Sequence, residues 1–414
     1  MSVSPPNTEL ARRDEGGCTV YTALRNGQAL GYVAVDSTVA GRSCGGVRIA
    51  TGLSEEEVRI LARSMTLKYG FLGLPQGGAK AGLIGDADGP LEDRRRRLVE
   101  FGRIIRPLLS EKLFVPCADM GTTADDIRYM LEQLGLSVAR RQLRSNQSGH
   151  YTAVSVLAGA DAAADHLGLH LADCRVAIEG FGKVGSALCG MLDRRGAKVV
   201  AVSTSRGAIY NDAGLDAALL LELARRHGSD LVKAYPRAQF LAPAQLLELP
   251  ADLLCPCARH NCITSENAHS IQARIICAGA NHFATDQAQE ILQGRGVLVL
   301  PDFVTNCGGV LGGTMEFASI APAAIEPFIL ARLGPAISRL LQEAAREGIS
   351  PTALAARIAQ ARREQVNRNA RQRGLKNWLL GLGLELYRHG LVPSGIMAPL
   401  AMRYFNRLLK HSGQ

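Results

Sequence analysis

The chain has 414 residues, which is longer than one average domain and predicts two domains with separate cores. It is 47% hydrophobic and 21% charged, and it has neither a long apolar run nor an apolar signal segment at its polar N-terminus, so we expect a water-soluble, cytoplasmic protein without a membrane span. The formal net charge of +9 is scattered apart from an arginine run at 94–97, which indicates solvated helix faces rather than a nucleic-acid partner.

Ten cysteines are spread along the chain, several of them in apolar segments such as the one that ends at Cys277. This distribution is typical of reduced core thiols rather than of a disulfide framework. Cys255, Cys257 and Cys262 lie close together in sequence, but their spacing matches no strong zinc pattern. We therefore predict no metal.

The first predicted element is a β-hairpin, because two β-rich segments between residues 20 and 40 flank Asn26-Gly27, a strong turn signal. It would build the sheet of a substrate domain. The pair Gly45-Gly46 follows, and its missing side chains allow another backbone or a substrate to approach closely.

A helix is predicted next, starting from Ser54 with Glu57 as a capping box. Its apolar face is formed by residues three and four apart, namely Val58, Leu61, Met65 and Lys68. A buried ammonium needs a partner or a lowered pKa, which favours a carboxylate-binding or catalytic role for Lys68. The alternative is a lysine whose stem reaches water from the helix end.

A second lysine, Lys80, lies in a predicted glycine-rich loop, GGAKAG. The loop lacks the spacing and the Ser or Thr of a phosphate-binding loop, so we reject that function. Its glycines would let backbone or substrate approach the amine, and a second lysine nearby would lower the pKa of Lys80 by repulsion between like charges.

The run GGVRIATGLSEEEVRILARSMTLKYGFLGLPQGGAKAG, residues 45–82, resembles the glutamate/leucine/phenylalanine/valine dehydrogenase family. That family has a Gly-Gly-x-Arg segment, a Met-Thr-x-Lys helix end and a Gly-Gly-x-Lys loop, and all three occur here in order. The resemblance implies that the substrate passes Gly45 and Gly46, that Lys68 binds its α-carboxylate and that Lys80 activates water.

Asp119 follows a short predicted strand, Leu113 to Pro116, and the residues alone leave open whether it caps a helix near Ala124 or acts from a cleft. The family carries its catalytic aspartate in a Pro-Ala-x-Asp-x-Gly-Thr pattern. Residues 116–122 match that pattern, with Cys117 in place of alanine. The resemblance therefore implies that Asp119 carries protons to and from the substrate nitrogen.

A polar stretch at 140–149 indicates the crossing into a second domain, where a small-residue helix at 152–166 precedes a strand at 175–179. A GxGxxG turn, a helix and another strand follow, which is the setting that a dinucleotide-binding fingerprint requires. The predicted cofactor contacts of this region are Gly180, Phe181, Gly182, Lys183, Val184 and Gly185, with Thr152 added by the resemblance. Lys183 stands where the family usually has Asn.

The second strand of this domain ends in Ser203-Thr204-Ser205-Arg206. An NAD site usually carries an acid there for the ribose hydroxyls, whereas an arginine can meet the 2′-phosphate of NADP. We therefore predict NADP or NAD as the cofactor, with NADP favoured, and we add Thr204 and Arg206 to the cofactor contacts.

Two further motifs resemble the family. Cys277 to Asn281 matches its Gly-Ala-Asn turn and implies that Asn281 contacts the cofactor, with His282 where glutamate dehydrogenases usually have Gly. Residues 301–310, PDFVTNCGGV, resemble its Pro-Asp-x-x-x-Asn-x-Gly-Gly-Val segment and imply a substrate-binding role for Asn306.

The substrate side chain can also be considered through the family. Members that use glutamate hold its distal carboxylate with a lysine before Gly-Gly and a serine after Gly-Gly-Val, whereas this chain has Cys44 and Gly313 at those places. Met65 stands where that branch has Gln. An unpaired, desolvated carboxylate costs several kcal/mol, so we predict an apolar amino acid such as leucine, valine or phenylalanine.

Together these features predict a two-domain α/β fold, with a mixed-sheet substrate and oligomerisation domain at 1–147 and a Rossmann-type NAD(P) domain at 148–306. Helices at 307–374 return to the first domain, and a C-terminal extension at 375–414 has no assigned role. The predicted activity is that of a homo-oligomeric amino-acid dehydrogenase, which converts an amino acid to a 2-oxo acid and ammonia. Glutamate dehydrogenase is the alternative, and a cofactor-binding regulatory paralogue is the non-enzyme alternative.

Overall fold

The structure is a computed structural model, and it describes residues 7–137, 147–258, 260–371, 386–387 and 391–410. The chain divides into two compact units. The first contains Met1–Asn146, Glu316–Ser319 and Ala359–Arg403, and the second contains Gln147–Met315, Ile320–Ile358 and Tyr404–Gln414. Residues 307–374, which the sequence assigns to the first domain as a whole, are thus divided between the two units. Much of the predicted extension at 375–414 lies outside the described residues.

The first unit is built on a six-stranded mixed sheet with the order β1-β2-β3-β5-β4-β6. Its strands are β1 (Thr8–Glu15), β2 (Cys18–Arg25), β3 (Gln28–Val35), β4 (Ser43–Ala50), β5 (Gly77–Ile84) and β6 (Phe114–Ala118). Its helices are α1 (Glu55–Leu72), α2 (Leu91–Ile104), α3 (Arg106–Ser110) and α4 (Ala124–Gln133). Strand β4 is parallel to both of its neighbours, β5 and β6, whereas β1, β2, β3 and β5 pair antiparallel in turn.

The predicted hairpin is confirmed as β2 and β3. Asn26 and Gly27 both have positive φ, 50° and 77°, as a two-residue turn with the twist of the flanking strands requires. Helix α1 begins as predicted, because Ser54 accepts a hydrogen bond from the backbone N–H of Glu57. Gly73, in the left-handed conformation, ends it.

The predicted loop around Lys80 is wrong, because these residues form strand β5. Alternate side chains of a strand point to opposite faces, and here Ala79, Ala81 and Leu83 enter the core with α2 and α4. Gly78, Lys80 and Gly82 therefore face α1. A Cβ on Gly78 would lie 2.2 Å from the backbone nitrogen of Thr66, so the glycine lets the helix lie directly on the strand.

The second unit is built on a seven-stranded sheet with the order β10-β9-β8-β7-β11-β12-β13. Its strands are β7 (Arg175–Glu179), β8 (Lys198–Thr204), β9 (Gly207–Tyr210), β10 (Gln239–Leu241), β11 (Leu253–Pro256), β12 (Ile275–Ile276) and β13 (Leu298–Val299). Its helices include α5 (Ser148–His166), α6 (Lys183–Arg194), α7 (Ala217–His227), α8 (Leu231–Ala234), α9 (Asp286–Gly294), α10 (Asp302–Thr305), α11 (Gly308–Phe317) and α12 (Pro322–Glu347).

Five strands of this sheet, β7, β8, β11, β12 and β13, run parallel, and β9 and β10 form an antiparallel edge. The chain passes from β7 to β8 on one side and later returns to β11 on the other. This reversal of strand order between β7 and β11 is the switch point where open α/β sheets bind ligands beyond the strand ends. The predicted strand, GxGxxG turn and helix lie at that point and are confirmed.

Two helices complete the described chain, α13 (Pro351–Arg371) and α14 (Ser394–Lys410). The predicted helices at 327–347 and 351–373 correspond to α12 and α13. Within the second unit α12 packs against α5. Among the helices that the structure describes, none has both the length and the apolar composition needed to cross a membrane.

Candidate active site

The side chain of Lys80 projects from the middle of β5 and is 4% exposed. Its Nζ lies 2.6 Å from Oδ2 of Asp119, the residue after β6. The sequence predicts a second lysine as the charged neighbour of Lys80, whereas the structure shows a carboxylate at hydrogen-bonding distance. Two residues that are 39 positions apart in sequence thus meet because β5, β4 and β6 are consecutive strands of one sheet.

Asp119 has a second cation beside it. Nε of Arg48, on β4, donates to Oδ2 at 3.2 Å, and the same guanidinium binds Oε1 of Glu57 at 2.7 Å. Burial by itself raises the pKa of the Asp119 carboxyl, but the charges of Lys80 and Arg48, with hydrogen bonds from Lys80 and the Met120 backbone, outweigh it and lower the pKa. Asp119 is therefore ionised at neutral pH.

The structure excludes the alternative role of Asp119 as the cap of the next helix. Helix α4 has Thr123 as its N-cap, in a reciprocal capping box with Asp126. The Asp119 backbone is fixed separately, because its N–H donates to Oγ1 of Thr122, whose hydroxyl donates to the carbonyl of Val47. The Asp119 carboxylate takes no part in capping and instead contacts Lys80 and Arg48. The side chain is 21% exposed.

Lys68 lies four residues before the end of α1 and is 5% exposed, and Met65, about one turn earlier, is buried as well. The helix covers the face of the sheet that carries Lys80. The structure therefore places the predicted residues Met65, Lys68, Lys80 and Asp119 in the same unit, and their roles toward a substrate stay predictions.

The two glycines at the start of the family motif serve the packing of the sheet. A Cβ on Gly45 would lie 1.7 Å from the carbonyl oxygen of Ala79 in β5, and a Cβ on Gly46 would lie 2.6 Å from Cβ of Asp119. Their missing side chains let β4 approach β5 and the Asp119 side chain closely. Contact of Gly45 or Gly46 with a substrate stays a prediction.

Cys44 is hydrogen-bonded to two side chains that the sequence did not assign to it. Its sulfur accepts from the thiol of Cys117 and from the hydroxyl of Tyr69, and these bonds, the first above all, lower the pKa of Cys44 against the effect of burial. The bond to Cys44 and burial raise the pKa of Cys117. Cys44 and Cys117 were both noted as departures from the family, and only the strand order shows that they meet.

In the second unit the three glycines of GxGxxG have different surroundings. Gly180 has φ of +91° and lies against Ala258, and a Cβ on Gly185 would lie 1.9 Å from the carbonyl oxygen of Gly180. A Cβ on Gly182, by contrast, would meet no atom of the described residues within 4 Å. The space beside Gly182, at the N-terminus of α6, fits the pyrophosphate of a dinucleotide.

The other predicted residues of this turn surround that helix start. Phe181 is buried, Val184 is half-buried, and Lys183 is exposed in the first turn of α6. Thr152, on α5, donates to the carbonyl of Ser148, and its Oγ1 would lie 2.6 Å from a Cβ on Gly309. Their contacts with a cofactor stay predictions.

The end of β8 differs from the sequence expectation. The hydroxyl of Thr204 donates to the carbonyl of Ser229 and accepts from the backbone N–H of Arg206. This brings Asp230 into the neighbourhood, where a hydrogen bond from Lys233 and then the charges of Lys233 and Arg206 lower the pKa of its carboxyl. The expectation that no acid lies at this strand end is corrected, because Asp230 comes from a later turn of the chain.

Asn306 is 3% exposed, and its Nδ2 donates to the carbonyl of Ala280 and to Oδ1 of Asn281, each at 3.0 Å. The predicted cofactor contact Asn281 and the predicted substrate contact Asn306 are thus bonded to each other. Gly313 lies on α11, in the same unit, and a Cβ there would meet nothing within 4 Å. His282, where the family usually has Gly, has φ of +47°.

No group of metal-binding side chains occurs among the residues that the structure describes. All ten cysteines lie in the described parts of the chain as free thiols.

Comparison with known proteins gives matches over both units. The sequence profile of the Glutamate/Leucine/Phenylalanine/Valine dehydrogenase family matches residues 145–365, and that of the Glu/Leu/Phe/Val dehydrogenase dimerisation domain matches residues 15–135. The glutamate dehydrogenase of Thermotoga maritima is 33% identical over 321 residues, 74% of each chain. The catabolic NAD-specific glutamate dehydrogenase of Bacillus subtilis is 33% identical over 321 residues, 74% of this chain and 72% of the relative.

Among solved structures, the hetero-hexameric glutamate dehydrogenase of Thermus thermophilus, in its Leu-bound form, superposes with a TM-score of 0.73. The two sequences are 26% identical, and the match covers 90% of each chain.

Proposed function

The chain belongs to the glutamate/leucine/phenylalanine/valine dehydrogenase family and is an NAD(P)-dependent amino-acid dehydrogenase, and we propose that the Lys80–Asp119 pair carries its proton transfers. The observation behind this assignment is the 2.6 Å contact between the buried Nζ of Lys80 and Oδ2 of Asp119. The reaction would be reversible oxidative deamination of an L-amino acid to a 2-oxo acid and ammonia. The conversion needs groups that accept, hold and return protons.

A bound nicotinamide would supply the acceptor for the hydride that leaves the substrate Cα. In our proposal Lys68 binds the substrate α-carboxylate and Lys80 activates the water that attacks the resulting imino acid. The 2.6 Å contact between Nζ of Lys80 and Oδ2 of Asp119 places a carboxylate next to the amine that would exchange protons with this water. Asp119 would then exchange protons with the substrate nitrogen.

We propose L-glutamate as the first substrate to test. The Thermotoga and Bacillus relatives are both glutamate dehydrogenases. They favour glutamate over the apolar substrate that the sequence predicts, and the leaning toward the leucine, phenylalanine or valine branch is not confirmed.

An apolar amino acid is the second candidate, and one observation favours it. Position 44 holds a cysteine that is bonded to Cys117 and Tyr69, so no ammonium at this position could pair with the distal carboxylate of glutamate. Burying that carboxylate without a partner would cost several kcal/mol, whereas a missing methylene in an apolar pocket costs only about 1 to 3 kcal/mol.

The test is kcat/KM for glutamate, leucine, valine and phenylalanine with each cofactor. The highest value with glutamate would support the first candidate, and the highest with an apolar amino acid would support the second. The Cys44→Lys variant provides a matched comparison, since an added ammonium should raise kcat/KM for glutamate alone. Turnover of none of them would contradict the proposed proton-transfer site.

For the cofactor we propose NAD rather than the NADP that the sequence favours. The Bacillus relative is NAD-specific, and Asp230 partly offsets the charge of Arg206. An acid near the strand end is suited to ribose hydroxyls and repels a 2′-phosphate. The Asp230→Asn variant should therefore lower the ratio of kcat/KM with NAD to kcat/KM with NADP, and Arg206→Ala should raise it.

We further propose that the protein is a homo-oligomer in the cytoplasm. The Thermus relative is a hetero-hexamer, which supports an oligomeric assembly, and residues 15–135 match a dimerisation domain. Ten free thiols suit a reducing compartment. The molar mass in solution, measured by light scattering, should be a multiple of 44.2 kDa.

A further inference from the structure

Two cysteines at positions where the family usually has other residues meet beside the proposed catalytic pair. Cys44 lies on β4 and Cys117 on β6, its parallel neighbour. The strand register pairs Cys44 with Val115 and Gly46 with Cys117, so the two cysteines share one face of the sheet and lie diagonally across Gly46. Gly46 contributes no side chain between the two cysteines, and their thiols are hydrogen-bonded to each other.

The two thiols are chemically unequal. Cys44 accepts hydrogen bonds from Cys117 and Tyr69, and these lower the pKa of Cys44, whereas the pKa of Cys117 is raised. The thiolate is the reactive form of cysteine. Cys44 thus has the character of an attacking sulfur, and Cys117 is a protonated thiol placed to react second.

Both cysteines are also partly exposed, in contrast to Cys18, Cys174, Cys189, Cys255, Cys277 and Cys307, which are buried. Cys257 and Cys262 are partly exposed as well, but burial of their sulfurs raises the pKa of both thiols. Exposure, a lowered pKa and a second thiol in contact therefore coincide at Cys44.

We propose that Cys44 and Cys117 form a peroxide-sensitive dithiol that closes to a disulfide. The Cys44 thiolate attacks one oxygen of hydrogen peroxide, the O–O bond breaks, and a sulfenic acid forms while the departing hydroxide takes up a proton to become water. The sulfur of Cys117 then attacks that of Cys44, and the hydroxyl leaves with the Cys117 proton as a second water. In sum two thiols are oxidised, one peroxide is reduced, and two waters are released.

Closure of the disulfide would act on the site already described. Cys117 lies close enough to Lys80 and Asp119 for both of their charges to act on it, and Tyr69 would lose the thiolate to which it donates. The bond would also tie β4 to β6 next to the residues that hold Asp119. The loss of turnover expected from this rests on the proposed function, whereas the disulfide itself does not.

The experiment treats the reduced full-length chain with hydrogen peroxide, blocks the remaining thiols with N-ethylmaleimide and maps tryptic peptides by mass. Cys44 and Cys117 are the single cysteines of tryptic peptides 43–48 and 113–128. We expect these two peptides to become linked, turnover to fall at least tenfold, and dithiothreitol to restore both the free thiols and the activity.

Variants separate the two steps. In Cys117→Ala, which restores the usual family residue, a sulfenic acid on Cys44 should persist and react with dimedone, and no linked peptide should form. Tyr69→Phe removes one donor, so the rate of peroxide reaction at Cys44 should fall several-fold at neutral pH and its pH profile should move upward. Cys262→Ala, which changes a partly exposed thiol of the second unit, should leave the linked peptide unchanged.

If peptides 43–48 and 113–128 stay unlinked while the wild-type chain is oxidised elsewhere, the inference is wrong. The same conclusion holds if Cys117→Ala loses activity to peroxide reversibly with no sulfenic acid on Cys44. If the untreated, reduced protein turns over no amino acid but peroxide still links the two peptides, the proposed function is wrong and the dithiol inference is supported.

Discussion

Lys80 and Asp119 contact each other, and Asp119 also contacts Arg48, so the charged pair is already formed in the protein without a substrate. Burying two charges is costly, and a buried ion pair that loses one partner leaves an uncompensated charge. Residues that carry this cost are expected to have a function. We predict that Lys80→Ala and Asp119→Asn each lower kcat by a factor of at least about 100, as expected for proton-transfer groups, while NAD still binds. Steady-state kinetics and a cofactor titration provide the measurement.

The matched control is Asp125→Asn, the same change six residues away, where an exposed carboxylate pairs with Arg128. It should leave kcat unchanged, because exposed ion pairs contribute little. Full activity in Asp119→Asn would show that Asp119 is not the proton carrier.

We predict that Arg48 affects the acid range of the enzyme through the pKa of Asp119. The pKa of Asp119 is lowered in the folded state, so the stabilisation it provides is present above the unfolded pKa of about 3.9 and is lost as pH falls through the lower folded pKa. Arg48→Gln removes one of the two cations, so the pKa of Asp119 should rise and the acid limb of the kcat/KM profile should move to higher pH.

The control for this profile is Arg63→Gln, which removes an exposed arginine from the same helix that carries Glu57. Its acid limb should coincide with that of the wild type. An unchanged acid limb in folded Arg48→Gln would mean that Asp119 does not govern that limb.

For single residues of the site, the sequence predicts which residues are involved better than it predicts which side chains contact each other. The resemblance indicated Lys68, Lys80 and Asp119, and the pattern of glycines and lysines drew attention to the same stretch. Arg48 belongs to the Gly-Gly-x-Arg motif and Glu57 to the predicted capping box, but the bonds of Arg48 to Asp119 and Glu57 were missed because they depend on the strand order. The contact between Cys44 and Cys117 depends on the same pairing of β4 with β6.

Elements whose glycines serve packing are harder to predict. Strand β5 resembles a loop because Gly77, Gly78 and Gly82 have low strand propensity, yet those glycines are the positions where α1 and the segment before β4 approach most closely. The buried alternation of Ala79, Ala81 and Leu83 is the signal that favours a strand. In the second unit the GxGxxG turn was predicted correctly, since its strand and helix have clear periodic patterns of their own.

The fingerprint glycines allow a test that separates cofactor binding from folding. Within the part of the chain that the structure describes, a Cβ on Gly182 would meet no atom within 4 Å, whereas one on Gly185 would lie 1.9 Å from the carbonyl oxygen of Gly180. Gly182→Ala should therefore keep the thermal stability of the free protein and weaken NAD binding at least tenfold, because the methyl group enters the space of the pyrophosphate. Gly185→Ala should lower stability by roughly 1 to 3 kcal/mol through overpacking.

Differential scanning calorimetry of the free proteins and titration with NAD would measure the two effects. Gly190→Ala, on the same helix, is the control, since its Cβ would have only ordinary contacts of 3.4 Å or more. Unweakened NAD binding in Gly182→Ala would show that the cofactor does not pass this glycine.

On the scale of the whole molecule, topology follows from sequence only in part. The fold class was predicted correctly, because a hairpin followed by alternating strands and helices permits few arrangements. The edge strands β9 and β10 and the placement of Asp230 were not predicted, since they depend on how a turn folds back across the sheet. Residues 307–374 contain long apolar helix faces, and the sequence alone does not predict against which of the two hydrophobic cores each face packs.

The two units have separate cores, so a ligand bound to one of them should be detectable as a local gain in stability. A cofactor that binds only the native state stabilises it by about 2.7 kcal/mol at one hundred times its Kd. We predict that NAD alone slows hydrogen exchange in peptides of the second unit that contain residues 180–185 and 203–206. Because Gly182→Ala weakens NAD binding, the protection should be lost in that variant at the same NAD concentration and should return at a higher one. Slowed exchange confined to peptides of the first unit, such as 43–48, would place the dinucleotide on the wrong unit and would refute the cofactor assignment.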